Sequence, residues 1–157
     1  MNWWGTLRLD RAFLPVLLER PEAHLVNTSS MGGFVPVPGQ TIYGASKAAV
    51  KLLTEGLHAE CRGTRVRVTV VIPGGMATNM PANSGVSIAV DPEEAAKLAK
   101  NLTTAEDAAM RILDGMAKNA YRVLIGRDAR MTDLFYRVNP SGAAALIARQ
   151  MRSLRTK

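Results

Sequence analysis

The segment Arg65-Val66-Arg67-Val68-Thr69-Val70-Val71-Ile72, closed by Pro73-Gly74-Gly75, constrains the fold more than any other part of this chain. Apart from its two arginines every residue is β-branched, and such side chains favour extended backbone. The apolar positions alternate with charge at first and then become continuous. A strand that is apolar at consecutive positions needs cover on both faces, as a strand inside a parallel sheet has. The proline and two glycines end it sharply.

Two shorter stretches, 24–28 and 121–125, read as strands by the same criteria, and helical periods lie between them. Leu14, Leu17 and Leu18, with Trp4 and Leu7 earlier, define an amphipathic helix over 3–19, with Pro15 as an expected kink. Ala45, Ala49, Leu52, Leu53 and Leu57 define a second over 43–62, with Gly63 as its stop. Gly32, Gly33 and Gly39 read as turn residues in the stretch between the first strand and this helix. Residues 76–90 have no period and read as loop. Asp91-Pro92-Glu93-Glu94 opens a short helix to about Lys100. Thr103, with Glu106 three residues on, opens another whose apolar face is Ala105, Ala108, Ala109, Ile112, Leu113 and Met116. Asn139-Pro140 divides the remainder into two helical pieces. Strands separated by helices imply an α/β fold, a parallel sheet with flanking helices, in a single domain over 1–157. Within it, 76–103 would cover a substrate and 127–157 form a helical tail.

Composition narrows the function classes. With 47% hydrophobic and 21% charged residues the chain can build an ordinary core. A single cysteine, Cys61, supports no disulfide framework, which points to a reducing, cytoplasmic setting. No apolar run approaches the roughly 18 residues of a membrane span, and the start MNWWGTLRLD lacks the apolar core of a secretory leader. The formal charge of +7 is spread along the chain. It clusters only where Arg149, Arg152, Arg155 and Lys157 alternate with Ala148, Met151 and Leu154, a pattern read as a solvated or subunit-packing helix rather than a membrane anchor. With 5% aromatic residues and no recognition motif, nucleic acid is not an expected partner. Neither His24 nor His58 has metal-ligand spacing to a second histidine or to Cys61, so no metal is expected.

The chemistry-bearing signal is Tyr43-Gly44-Ala45-Ser46-Lys47. Spacing of four stacks the phenol and the ammonium on one helical face. A nearby positive charge favours phenolate and lowers a tyrosine pKa from its free value of about 10, which suits acid–base work near neutrality. Taken alone, Tyr-x-x-x-Lys is equally an ordinary solvated helix face. Thirteen residues earlier Ser30 ends the strand Asn27-Thr28-Ser29-Ser30, and functional residues of parallel sheets gather at the carboxyl ends of strands. Ser29, one residue before it, would point to the opposite face. Gly44-Ala45-Ser46-Lys47-Ala48 lacks the final glycine of a nucleophile elbow, so serine hydrolase chemistry is not indicated.

Ser30, Gly32-Gly33, the Tyr43-x-x-x-Lys47 helix, and a strand ending in Pro73-Gly74 with Thr78 beyond it together resemble the short-chain dehydrogenase/reductase family. The resemblance runs motif by motif from Asn2 to Asn79 and more loosely to Arg127. It implies a Rossmann-like fold and hydride transfer between NAD or NADP and an alcohol or carbonyl. Tyr43 resembles the family's acid/base, and Lys47 the residue that lowers its pKa and holds the nicotinamide ribose. Ser30 resembles the hydroxyl that polarises the substrate oxygen. Asn2 resembles the helix asparagine that links the lysine to solvent through water. Pro73, Gly74 and Thr78 resemble the turn bordering the nicotinamide. From the residues alone, Asn2 is equally a helix cap and Thr78 equally a loop hydroxyl.

The family's G-x-x-x-G-x-G turn, which cradles the dinucleotide, and its Asn-Asn-Ala-Gly turn do not occur in this sequence. By resemblance the chain starts within the family's fourth helix, so it is expected to match the C-terminal portion only, truncated at its N-terminal half. Roughly 90 residues, or three βαβ units, would precede it in a complete member, and cofactor binding by this chain alone is not expected. Its substrate would be a small, moderately hydrophobic alcohol or ketone, since Met76, Met80, Pro81, Val86, Ile88 and Val90 follow the glycines. Family subunits pair through the helices matching 3–19 and 43–62, which implies a homo-oligomer. The alternative is a non-catalytic truncated relative that associates with full-length subunits.

Overall fold

A computed structural model describes residues 2–77 and 102–151 of the chain. The elements run α1 (Asn2–Leu18), β1 (Ala23–Thr28), a 3-10 turn at Met31–Gly33, α2 (Thr41–Glu60), β2 (Val66–Pro73), α3 (Ala105–Ala117), β3 (Arg122–Ile125), α4 (Arg127–Val138) and α5 (Pro140–Gln150). The three strands form one parallel sheet in the order β1-β2-β3. β2 is central, with Ala23 opposite Val66 on one side and Val70 opposite Arg122 on the other.

The covered strand read from the sequence is β2. Arg67 is exposed, whereas Val68 through Ile72 are all buried. Alternate residues of this strand feed two apolar clusters. Val66 and Val68 pack with Ala23, Leu25, Leu57 and Cys61, against which Leu14, Leu17 and Leu53 close from α1 and α2. Val71 packs on the other face with Ala108, Val123 and Ile125, joined by Ile112 of α3. Full burial of each such valine or isoleucine contributes about 1.5–3 kcal/mol. Helices on both faces of a parallel sheet make the molecule Rossmann-like, as expected.

Several boundaries differ from the sequence reading, each for a local reason. α1 begins one residue earlier and ends one residue earlier than the 3–19 expected, with Pro15 inside it as the sequence reading had it. α2 starts two residues earlier, at Thr41. Gly63 adopts the left-handed conformation (φ 85°) in the turn after α2, matching its expected role as a stop. The cap of α3 is Thr104, whose side chain accepts from Asp107 N, and not Thr103. The Thr103 backbone is already committed, donating to Gly75 O at 3.0 Å and accepting from Ala77 N at 2.9 Å. The core face of α3 runs through Ala108, Ile112 and Gly115, while Ala109 and Leu113 of the expected stripe face solvent. Asn139 both separates and caps the last two helices, accepting from Gly142 N at 2.9 Å. The helix expected over 91–100 and most of the 76–103 loop lie outside the described residues.

Candidate active site

β1, the 3-10 turn and the start of α2 assemble the candidate site at the carboxyl ends of β1 and β2. Ser30 follows β1 in extended conformation and caps the 3-10 turn, its Oγ accepting from Gly32 N at 3.2 Å. The hydroxyl proton has no acceptor among the described residues, so it is free to donate elsewhere. Tyr43 is half-buried in the first turn of α2. A Cβ placed on Gly32 would lie 3.6 Å from Tyr43 Cε1 and 3.7 Å from Ser30 Oγ. Both side chains therefore border the same small space, kept open by a residue with no side chain.

Glycine at 33 and 44 is what lets α2 approach so closely. A Cβ at Gly33 would fall 2.8 Å from Ser29 Oγ and 2.9 Å from the Lys47 carbonyl carbon, and one at Gly44 would fall 2.8 Å from Gly32 O. Neither Gly32 nor Gly33 has a positive φ; of the three glycines read as turn residues, only Gly39 (φ 82°) does. Gly33 is therefore required for proximity rather than for turning, whereas a Cβ at Gly32 would make only ordinary contacts. Sequence reasoning missed this, although Gly44 is itself a signal, since glycine inside a helix costs about 1 kcal/mol relative to alanine and implies a packing reason.

Lys47 lies one helical turn beyond Tyr43, and its Nζ donates to Thr28 O, at the end of β1, at 3.0 Å. Burial pushes its pKa below the ordinary lysine value. Ser29 is buried and turned away from the site, as its alternation on the chain implies; its Oγ donates to Lys47 O at 2.7 Å and locks α2 onto β1.

Asn2 begins α1 and is exposed. A helix that feeds a parallel strand runs antiparallel to it, so this end of α1 lies on the carboxyl side of the sheet, with Ser30 and Tyr43. Its carbonyl accepts from Thr6 Oγ1 at 3.0 Å, and no hydrogen bond joins its side chain to Lys47 among the described residues. Pro73 ends β2, and Gly74 N donates to Ile125 O at 2.9 Å. Thr78 lies outside the described residues. Both histidines have structural partners, His24 Nε2 with Thr69 Oγ1 and His58 Nδ1 with Val68 O, each at 2.8 Å. One contact had no sequence signal: the Asp128 carboxylate, from the first turn of α4, accepts from Gly75 N at 2.6 Å.

The short chain dehydrogenase family profile matches residues 1–89. SadH of Mycobacterium tuberculosis is 36% identical over 153 residues, covering 94% of this chain and 55% of its own length. The mouse dehydrogenase/reductase SDR family member 7B is 31% identical over 128 residues, 80% of this chain and 39% of its own length. Among solved structures, a short chain dehydrogenase from Burkholderia cenocepacia in complex with NADP superposes with a TM-score of 0.76 at 28% identity, over 93% of this chain and 55% of that one. A short chain dehydrogenase/reductase from Burkholderia phymatum in complex with NAD gives 0.68 at 25% identity, over 87% and 56%. The chain thus spans about half the length of SadH and of the two solved structures. With a profile over more than half its residues and a relative aligned along nearly all of them, the chain belongs to the short chain dehydrogenase family.

Proposed function

We propose that this chain carries the catalytic portion of an oxidoreductase that interconverts an alcohol and a carbonyl. The observation that carries the reading is the shared space at Gly32, bordered by Tyr43 and Ser30, with Lys47 one turn away on the same helix. A bound nicotinamide dinucleotide would supply or accept the hydride. Tyr43 would move the proton at the substrate oxygen, giving it during reduction and taking it during oxidation. Ser30 has its lone pair engaged by Gly32 N and its proton free, so it would donate to that oxygen as negative charge develops. Lys47, fixed by Thr28 O, would hold the ribose and keep positive charge beside the phenol. Asn2 would join this set only through a water.

The residues present fit part of such a cofactor. Lys47 Nζ and the Pro73-Gly74 turn suit the nicotinamide ribose at the carboxyl ends of the strands. For the adenosine and pyrophosphate the described residues offer no equivalent. Pyrophosphate binds where a glycine-rich turn leaves a helix N-terminus open. Among the described residues β3 enters α4 through Gly126 alone, and the Asp128 carboxylate already fills that corner. NAD or NADP would therefore need residues beyond those described for its other half, and the relatives solved with NADP and with NAD leave both in play.

The substrate expected is a small alcohol or ketone of moderate hydrophobicity. A second reading, association with full-length subunits without turnover, is favoured by exposed Leu9, Phe13 and Val16 on α1 and Ile42 and Leu52 on α2. No helix among the described residues is long and apolar enough to cross a membrane. Burial, with the Glu60 charge, raises the Cys61 thiol pKa, which suits an unreactive core cysteine in a reducing cytoplasm.

Turnover of an alcohol or ketone with NADH or NADPH, once a cofactor-binding half is supplied, separates the two readings, because association without turnover predicts none. In a chimera with the N-terminal portion of SadH placed ahead of this chain, Tyr43→Phe should abolish turnover with cofactor affinity nearly intact. Ser30→Ala should lower kcat about 10²–10³-fold, the usual loss for one preorganised donor. Retained turnover in Tyr43→Phe overturns the assignment.

A further inference from the structure

Beyond Pro73, the turn residues Gly74 and Gly75 have no side chain of their own with which to hold a conformation. The turn is held from outside. Gly74 N donates to Ile125 O at 2.9 Å, and Gly75 N donates to Asp128 Oδ2 at 2.6 Å. The carboxylate lies against the glycines so closely that a Cβ at Gly74 or at Gly126 would collide with it. Gly126 has φ 95°, a backbone conformation that brings Asp128 back over the turn as α4 begins. Gly75 O in turn accepts from Thr103 N at 3.0 Å, so both polar backbone groups of Gly75 are engaged.

A short hydrogen bond to an ionised oxygen is about twice as strong as a neutral one. Three glycines, at 74, 75 and 126, surround this carboxylate, and two of them could carry no side chain without displacing it. Such close fitting exceeds what a first-turn acidic residue needs in order to favour its own helix dipole, which an exposed side chain does equally well.

We infer that Asp128 is a positioning residue: by gripping Gly75 N it fixes the backbone of the Pro73-Gly74 turn in the place where the nicotinamide end of a cofactor would rest. The inference deepens the function proposed above and rests on it for the identity of the ligand, while the grip itself is a property of this chain. Asp128 does not touch the reacting atoms. Its effect reaches the site through the turn, so it should act on cofactor binding rather than on proton transfer.

The test uses two measurements on Asp128→Ala and Asp128→Asn. Amide exchange followed by NMR on the intact chain should show Gly75 N exchanging at least tenfold faster in Asp128→Ala, with Val70 and Val71 of the central strand unchanged. Asp128→Asn keeps an acceptor oxygen and should restore most of the protection. In the SadH chimera, Asp128→Ala should raise KM for the dinucleotide about tenfold with kcat within twofold. A merely structural role would instead accelerate exchange throughout the sheet and lower kcat and affinity together. Unchanged exchange at Gly75 in Asp128→Ala overturns the inference, as does an unchanged KM in an active chimera. A wild-type chimera that neither binds nor turns over counts against the proposed function, and the Gly75 exchange then decides the role of Asp128 alone.

Discussion

Glu55 shows how one residue ties distant parts of this chain together. Its carboxylate pairs with Lys51 within α2 at 2.8 Å and with the Arg122 guanidinium across the sheet on β3. Burial alone would raise its pKa, but hydrogen bonds and charge from Lys51 and Arg122 outweigh burial and hold the carboxyl below the ordinary value of 4.5. A carboxyl lowered on folding contributes stability that is fully present above 4.5 and is lost as pH falls through the lower native value. Glu55→Gln should therefore cost about 1–3 kcal/mol at pH 7 and flatten the acid limb of the stability curve below pH 4.5. Urea midpoints across pH 3–7 check this, and a variant whose acid limb matches the wild type contradicts it. Residues of this kind were not legible in the sequence, because the pair Glu55 and Arg122 is separated by 67 positions and shares no motif. Tyr43 and Lys47 were legible for the opposite reason, since their relation is one helical turn and needs no tertiary knowledge. Ser30 was separable from Ser29 because alternation on an extended chain is a local rule, and the buried Ser29 obeys it.

At the scale of elements, the seat of α2 on the end of β1 decides whether a site exists. Gly33 and Gly44 bring the helix to within van der Waals contact of the 3-10 turn, and Ser29 then fastens it through Lys47 O. Gly33→Ala forces its new methyl against Ser29 Oγ and against the Lys47 backbone, and backbone cannot swing aside as a long side chain can. We expect a loss of about 1–3 kcal/mol, the usual cost of overpacking. Gly39→Ala, which has open space but a positive φ, should cost about 1–2 kcal/mol through backbone strain alone. Thermal unfolding of both variants measures the losses. Near-UV circular dichroism distinguishes them, because only Gly33→Ala displaces α2 and the Tyr43 ring; an undisturbed tyrosine signal in that variant would refute the packing argument. The sequence exposed β2, α1 and α2 through their apolar periods but misplaced the start and the core stripe of α3. Thr103 carries the hydroxyl of a good cap, yet its backbone is drawn into the Gly75 and Ala77 contacts, so Thr104 caps instead. Tertiary hydrogen bonding overrode a local preference there, and no count along the chain registers that.

For the whole molecule, the order β1-β2-β3 leaves β1 paired on one side only among the described residues, next to a helix with apolar groups on both sides. Leu14 and Leu17 close the core beneath α1, while Leu9, Phe13 and Val16, spaced by four and three, stand on its outer surface. The fold class was legible because alternation of strands and helices admits few arrangements. The apolar outer surface was not, since a leucine's type does not say which cover it meets. An apolar stripe and an unpaired strand edge on one small molecule favour association. Light scattering coupled to size exclusion should show a species larger than the 16.9 kDa chain at high concentration, dissociating on dilution. Leu9→Glu combined with Phe13→Glu should return a monomer with its far-UV spectrum preserved, because both positions face solvent in the single chain. If association runs through the β1 edge instead, the same double variant stays assembled, and a charged lysine at exposed Glu22, just before β1, leaves it unaffected while lysine at Thr28 weakens it. A wild-type chain that remains a 16.9 kDa monomer at every concentration removes the homo-oligomer altogether.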